Sequence, residues 1–333
     1  MKAGGRKGLL ALARASVLAL CLGAASASFA NALALRDDEP DALKSATVLV
    51  VDEQTGEVLY GKNTGVVAPI ASITKLMTAI VTLDANLPLD ERVTITEDDL
   101  DTYKGTRSRL PIGTTLTRAE MLHLALMASE NRAASSLGNS YPGGQGAFVA
   151  AMNAKAAELG MKDTRFVEPT GLSRENVSSA QDLARLVAAA NGYPLIREYS
   201  TSTGYEVEIR GRRVAFANTN GLVRSGDWDI GVSKTGFIRE AGRCLVMQAR
   251  VAARSVIIVL LDSWGTFTRI ADAARIRAWL EPGYALPAPP PTARKASGKA
   301  TVKQVAKTGK GNAKATKGSS GRVQVQLKAP KPR

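Results

Sequence analysis

The chain has 333 residues, 45% of them hydrophobic, with 44 Lys and Arg against 30 Asp and Glu and a formal charge of +14. That charge suggests a nucleic-acid partner only until it is located: 4 basic residues lie in 1–30, 12 in 282–333, and the middle holds 28 basic against 30 acidic residues, a net −2. The near-neutral middle excludes a basic nucleic-acid-binding domain, and its roughly 250 residues suffice for one packed core.

Lys2, Arg6, Lys7 and Arg14 precede an apolar stretch over 15–25 and the small residues around Ser28 and Ala30. This pattern predicts a secretory signal peptide, residues 1–30, and export to the periplasm. Cys21 follows Leu20, where lipidation needs a small residue, so Cys244 is the one cysteine of the exported chain. No internal disulfide is then available, and stability must come from packing.

Short β-branched runs at 46–52 and 57–60 read as a hairpin. After Pro69, residues 72–83 place Ile73, Leu76, Met77, Ile80 and Leu83 at helical spacing, which sets Ser72 and Lys75 on one face. Helices follow at 117–127, with Thr117 and Glu120 at capping-box distance, and at 132–137, 148–159 and 180–190. Strand character returns at 205–209, 212–216, 229–234, 243–250 and 256–262, read as an antiparallel meander, and a helix over 267–280 closes the domain. The order predicts an α+β fold in which the first hairpin joins the meander in one antiparallel sheet flanked by helices. From Pro282 the chain is rich in Pro, Ala, Gly and Lys without any acid, which predicts a disordered basic tail over 282–333. Such a tail is either simply solvated or held electrostatically on an anionic envelope surface.

Exclusion narrows the chemistry. His123, the single histidine, sits among Met121, Leu122, Leu124 and Leu126 and reads as structural. A zinc hydrolase site, a Gly-x-Ser-x-Gly elbow and a phosphate-binding loop are all missing, so no metal or cofactor is expected. A serine nucleophile then needs a lysine base, made effective by burial, a second cation and a helix N-terminus. One Ser-x-x-Lys (72–75), one Ser-x-Asn (129–131) and, after them, Lys-Thr-Gly (234–236) occur in the order known for penicillin-binding proteins and class A β-lactamases. A second Lys-Thr-Gly, Lys307-Thr308-Gly309, lies in the tail and reads as a decoy.

With ALMASENRAASSLG (125–138), MNAKAAELGMKDTRFVEPTGL (152–172), NTNGL (218–222) and SKTGF (233–237), the chain over roughly 40–281 resembles the low-molecular-mass penicillin-binding proteins, the serine D-alanyl-D-alanine peptidases of family S11. AGRCLVMQ (241–248) looks most like the endopeptidases of penicillin-binding protein 7 type. The resemblance implies a β-lactamase/transpeptidase-like fold with a mainly helical subdomain and a peptidase domain over 31–281. It implies Ser72 as nucleophile, Lys75 as base and Ser129 as proton relay. Asn131, Lys234, Thr235, Gly236 and Phe237 would bind substrate, and the backbone N–H groups of Ser72 and Phe237 would form an oxyanion hole. Peptidoglycan stem peptides are the implied substrates and β-lactams the covalent inhibitors. Gly236 is expected to let substrate lie close to its strand, Cys244 to be a buried inert thiol, and Glu168, which lacks the Leu-Asn of a β-lactamase motif, to be a loop residue. Carboxypeptidase activity, a β-lactamase and a non-catalytic wall-binding protein are the alternatives.

Overall fold

The structure, a computed structural model, describes Pro40 and residues 43–283. The signal segment, and the tail from residue 284 with its Lys307-Thr308-Gly309, lie outside the described residues.

Strands β1 (Ser45–Asp52) and β2 (Val58–Lys62) make the expected hairpin. A short strand, β3 (Ala68–Pro69), leads through a 3-10 turn at Ala71–Thr74 into helix α1 (Lys75–Asp84). Strands β4 (Arg92–Thr94) and β5 (Thr115–Thr117) pair beneath α2 (Arg118–Met127), whose first turn carries the Thr117–Glu120 capping box. Helices α3 (Asn131–Asn139) and α4 (Gly144–Glu158) complete a helical subdomain. Then come β6 (Val177–Ser178), paired with β3, and helices α5 (Ala180–Asn191) and α6 (Pro194–Thr201). The hairpin β7 (Gly204–Ile209) and β8 (Arg212–Ala217) is followed by the short helix α7 (Gly221–Ser225). Strands β9 (Asp229–Ile238), β10 (Gly242–Val251) and β11 (Arg254–Ser263) precede α8 (Thr268–Leu280).

The main sheet is antiparallel with order β2-β1-β11-β10-β9, so the first hairpin does join the late strands. Its inner strands are buried on both faces, which is why they read as unbroken apolar runs. Leu49, Val246, Ile257 and Val259 face the core shared with Ile73 and Leu76, whereas Val48, Leu245, Ile258 and Leu260 face Ala273 and Ile276 of α8. One cross-strand row runs Leu49, Val259, Val246, Lys234, and it delivers Lys234 to the same face as the turn before α1.

Two readings change. The hairpin at 204–217 forms its own two-stranded sheet instead of entering the meander. Its strands bury only alternate residues, the pattern of a ribbon with one wet face. The helix expected from residue 72 is α-helical only from Lys75, because Ala71 takes a left-handed φ of 48° and the chain enters through a tighter turn. Helix α6, opened by Pro194 at its first turn, was not expected; it is eight residues long and gives too short a periodic pattern to detect.

Candidate active site

Ser72 sits on the 3-10 turn, partly exposed, directly after the left-handed Ala71. A non-glycine residue with positive φ is strained and persists only where its surroundings hold it. Three contacts do so here. Ile70 N–H donates to the Asn176 carbonyl at 3.1 Å. Gly171, at φ 81°, leaves no room for a side chain, since a Cβ there would stand 1.9 Å from the Ala71 carbonyl oxygen. A Cβ on Gly236 would lie 3.0 Å from the Ile70 carbonyl oxygen and 3.2 Å from Ser72 N. The close neighbour that Gly236 admits in this structure is therefore the turn that carries Ser72.

Lys75, the first residue of α1, is fully buried. Its Nζ lies 3.0 Å from Ser72 Oγ, 2.8 Å from Asn131 Oδ1 and 2.7 Å from the Thr170 carbonyl oxygen. Ser129 follows α2 at φ 58°, where Glu130 N–H reaches back to the Leu124 carbonyl at 3.1 Å and reverses the chain. Lys234 Nζ donates to Ser129 Oγ at 2.9 Å and to the Thr235 carbonyl at 3.0 Å. Asn131 is engaged at both ends, because its Nδ2 donates to Thr106 Oγ1 at 3.1 Å. The Thr235 hydroxyl pairs with Thr219 Oγ1 at 2.6 Å. Phe237 is half-exposed at the end of β9, with the Arg243 guanidinium 4.7 Å above its ring. All eight residues expected at the site thus share one region, with Ser129 attached to it through Lys234.

Burial makes a lysine charge costly, and both lysines respond. Desolvation lowers Lys75 to about 8, while the Glu168, Glu130 and Asp101 carboxylates pull the other way. Lys234 is held well below its ordinary value by burial and by the charges of Lys75 and Arg269. His123 stacks on Tyr199 with ring centroids 4.4 Å apart, and burial pushes it down to about 4. It is a neutral packing group, as the sequence implied. Cys244 is buried, and desolvation raises its thiol to about 11, so it is not a reactive thiolate.

The sequence reading missed how much of the site is backbone and neighbouring loop. Thr170 contributes a carbonyl, which no motif can flag, and Thr219 backs Thr235 from within NTNGL, a stretch that carried resemblance but no role. Glu168 is indeed on a loop, yet it is 2% exposed and accepts hydrogen bonds from Thr170 N (2.6 Å), Thr170 Oγ1 (2.5 Å), Gly171 N (2.6 Å), Ser173 N (3.3 Å) and Asn176 Nδ2 (2.9 Å).

Residues 34–265 match the model of the S11 peptidases, described as D-alanyl-D-alanine carboxypeptidase. A D-alanyl-D-alanine endopeptidase of Pseudomonas aeruginosa is 52% identical over 250 residues, covering 74% of this chain and 81% of that one. One of the same description from Escherichia coli is 46% identical over 261 residues, covering 78% and 84%. The solved structure of a Streptomyces DD-transpeptidase superposes with a TM-score of 0.67 at 28% identity, covering 73% of this chain and 98% of that one. The chain belongs to the D-alanyl-D-alanine carboxypeptidase family, the S11 serine peptidases.

Proposed function

We propose that the protein is a serine D-alanyl-D-alanine endopeptidase that hydrolyses cross-links between peptidoglycan stem peptides through an acyl-enzyme on Ser72. The observation that carries this is the buried Lys75 amine beside Ser72 Oγ at 3.0 Å, in a chain 52% and 46% identical to proteins described as such endopeptidases. Ser72 Oγ attacks the D-alanyl carbonyl and its proton passes to Lys75 Nζ. The N–H groups of Ser72 and Phe237 receive the oxyanion, a contribution of about 3 kcal/mol for a single such donor. Ser129, held by Lys234, passes a proton to the departing amine, and water then releases the acyl group. Thr235 takes a substrate carboxylate; Asn131 orients Lys75 and turns its Nδ2 from Thr106 to the substrate amide.

Carboxypeptidase action on a terminal D-alanine would use the same residues, and a Bacillus subtilis relative 31% identical to this chain is described as a carboxypeptidase. Digestion of purified cross-linked dimers beside monomeric pentapeptides separates the two. Cleaved dimers are expected; free D-alanine with intact dimers would replace the endopeptidase reading by the carboxypeptidase one. Residues 31–281 form the peptidase domain in this reading, and the signal-like segment 1–30 directs it to the periplasm, where its substrate lies. β-Lactams, which mimic the acyl donor, acylate Ser72. The basic tail holds the enzyme on the anionic envelope surface.

A further inference from the structure

Glu168 is a buried carboxylate whose charge is met by neutral donors, and every one of them belongs to the loop it opens: Thr170, Gly171, Ser173 and Asn176. Charge-assisted bonds of this kind are about twice as strong as neutral ones, so the carboxylate is the hub that gives residues 168–176 their shape. That shape is what the nucleophile turn rests on. The Thr170 carbonyl accepts from Lys75 Nζ, the Pro169 carbonyl accepts from Thr78 Oγ1 of α1 at 2.6 Å, and the Asn176 carbonyl accepts from Ile70 N. Gly171 closes against Ala71. Asn176 completes the tie, donating from Nδ2 to the Glu168 carbonyl at 2.9 Å and to Thr74 Oγ1 at 3.2 Å.

A neutral lysine amine has two N–H bonds and one lone pair. Asn131 Oδ1 and the Thr170 carbonyl are pure acceptors, so together they take both N–H bonds and leave the lone pair for Ser72. Resting on the reading of Ser72 and Lys75 as nucleophile and base, we propose that Glu168 is a positioning residue for acylation: it fixes the Thr170 carbonyl that aims Lys75. It is not a water-activating base, since both of its oxygens are occupied by the donors of its own loop.

Lys75 also faces Lys234 from β9, Glu130 ahead of α3 and Asp101 from the loop before β5. Burial and the charges of Glu168, Glu175 and Asp101 hold the Tyr103 phenol, on that same loop, above its ordinary value. Removing the Glu168 charge takes away one of the carboxylates that favour the protonated lysine, so Lys75 loses its proton at lower pH. The same change puts an amide N–H against a set of donors and loosens the loop.

The test is the acylation rate of the full-length protein by a fluorescent penicillin from about pH 5 to 10, with thermal unfolding followed in parallel. In E168Q the plateau rate is expected to fall about tenfold to a hundredfold, and the acid limb to move down by about one pH unit. A scaffold residue would lower the melting temperature and the rate with the limb unmoved. In folded E168Q, an unmoved limb or a wild-type plateau overturns the proposal. Should E168Q not fold, E168D decides: it keeps the charge, so its limb is expected to stay while its plateau falls, and a wild-type plateau or a displaced limb overturns the proposal. Wild-type protein that is neither acylated nor active on cross-linked dimers refutes the peptidase reading instead, so the two failures are distinct.

Discussion

In the proposed mechanism Lys75 does two jobs that conflict in solution, being close enough to Ser72 to take its proton and uncharged when it does so. Burial resolves the conflict by lowering its midpoint to about 8. A lysine below its midpoint is protonated and has no lone pair, so acylation by penicillin is expected to drop about tenfold per pH unit below that value and to level off above it. A stopped-flow pH series measures this; a rate that is flat down to mildly acidic pH would remove Lys75 as the base. Lys75→Ala is expected to cost about 10²- to 10⁴-fold in the same assay, the range of a general base. The occupied oxygens of Glu168 carry a second consequence. Glu168 is not free to activate water as a β-lactamase glutamate does, so the penicilloyl-enzyme is expected to persist, and mass spectrometry of the intact protein after a chase would show retained adduct. Gly171→Ala sets a Cβ against the Ala71 carbonyl in a left-handed backbone, and chemical denaturation is expected to register a loss of about 3 kcal/mol.

At the scale of elements, the sequence showed most where one side-chain pattern determines one structure. The capping box at Thr117 and Glu120, the runs of β10 and β11 and the helix before Pro282 are all local signals, and each matches the structure closely. Thr117→Ala is accordingly expected to cost about 1 kcal/mol of stability while leaving acylation intact, because Thr117 and Ser129 flank opposite ends of α2. What stayed hidden is pairing and backbone. Periodicity could mark 204–217 as a hairpin but could not say that it forms a sheet of its own. Likewise the three motifs named Ser72, Lys75, Ser129, Asn131, Lys234, Thr235 and Gly236, since side-chain chemistry is written in residue letters. The Thr170 carbonyl and the strained Ala71 are backbone properties and left no such mark.

Across the whole molecule, charge is sorted by position along the chain: a near-neutral middle and a tail that carries 12 basic residues without an acid. Truncation after Gly283 is expected to leave the acylation rate unchanged and to abolish salt-sensitive sedimentation with envelope fractions. Equal sedimentation of both forms at low salt would refute attachment by the tail. The packing of Gly236 against Ile70 and Ser72 has a longer reach. Strand β9 and the turn that carries Ser72 meet with no side chain between them, so a side chain at Gly236 would push one off the other. A side chain introduced at Gly236 that kept a β-lactam out would therefore also displace Ser72, the nucleophile of the proposed mechanism.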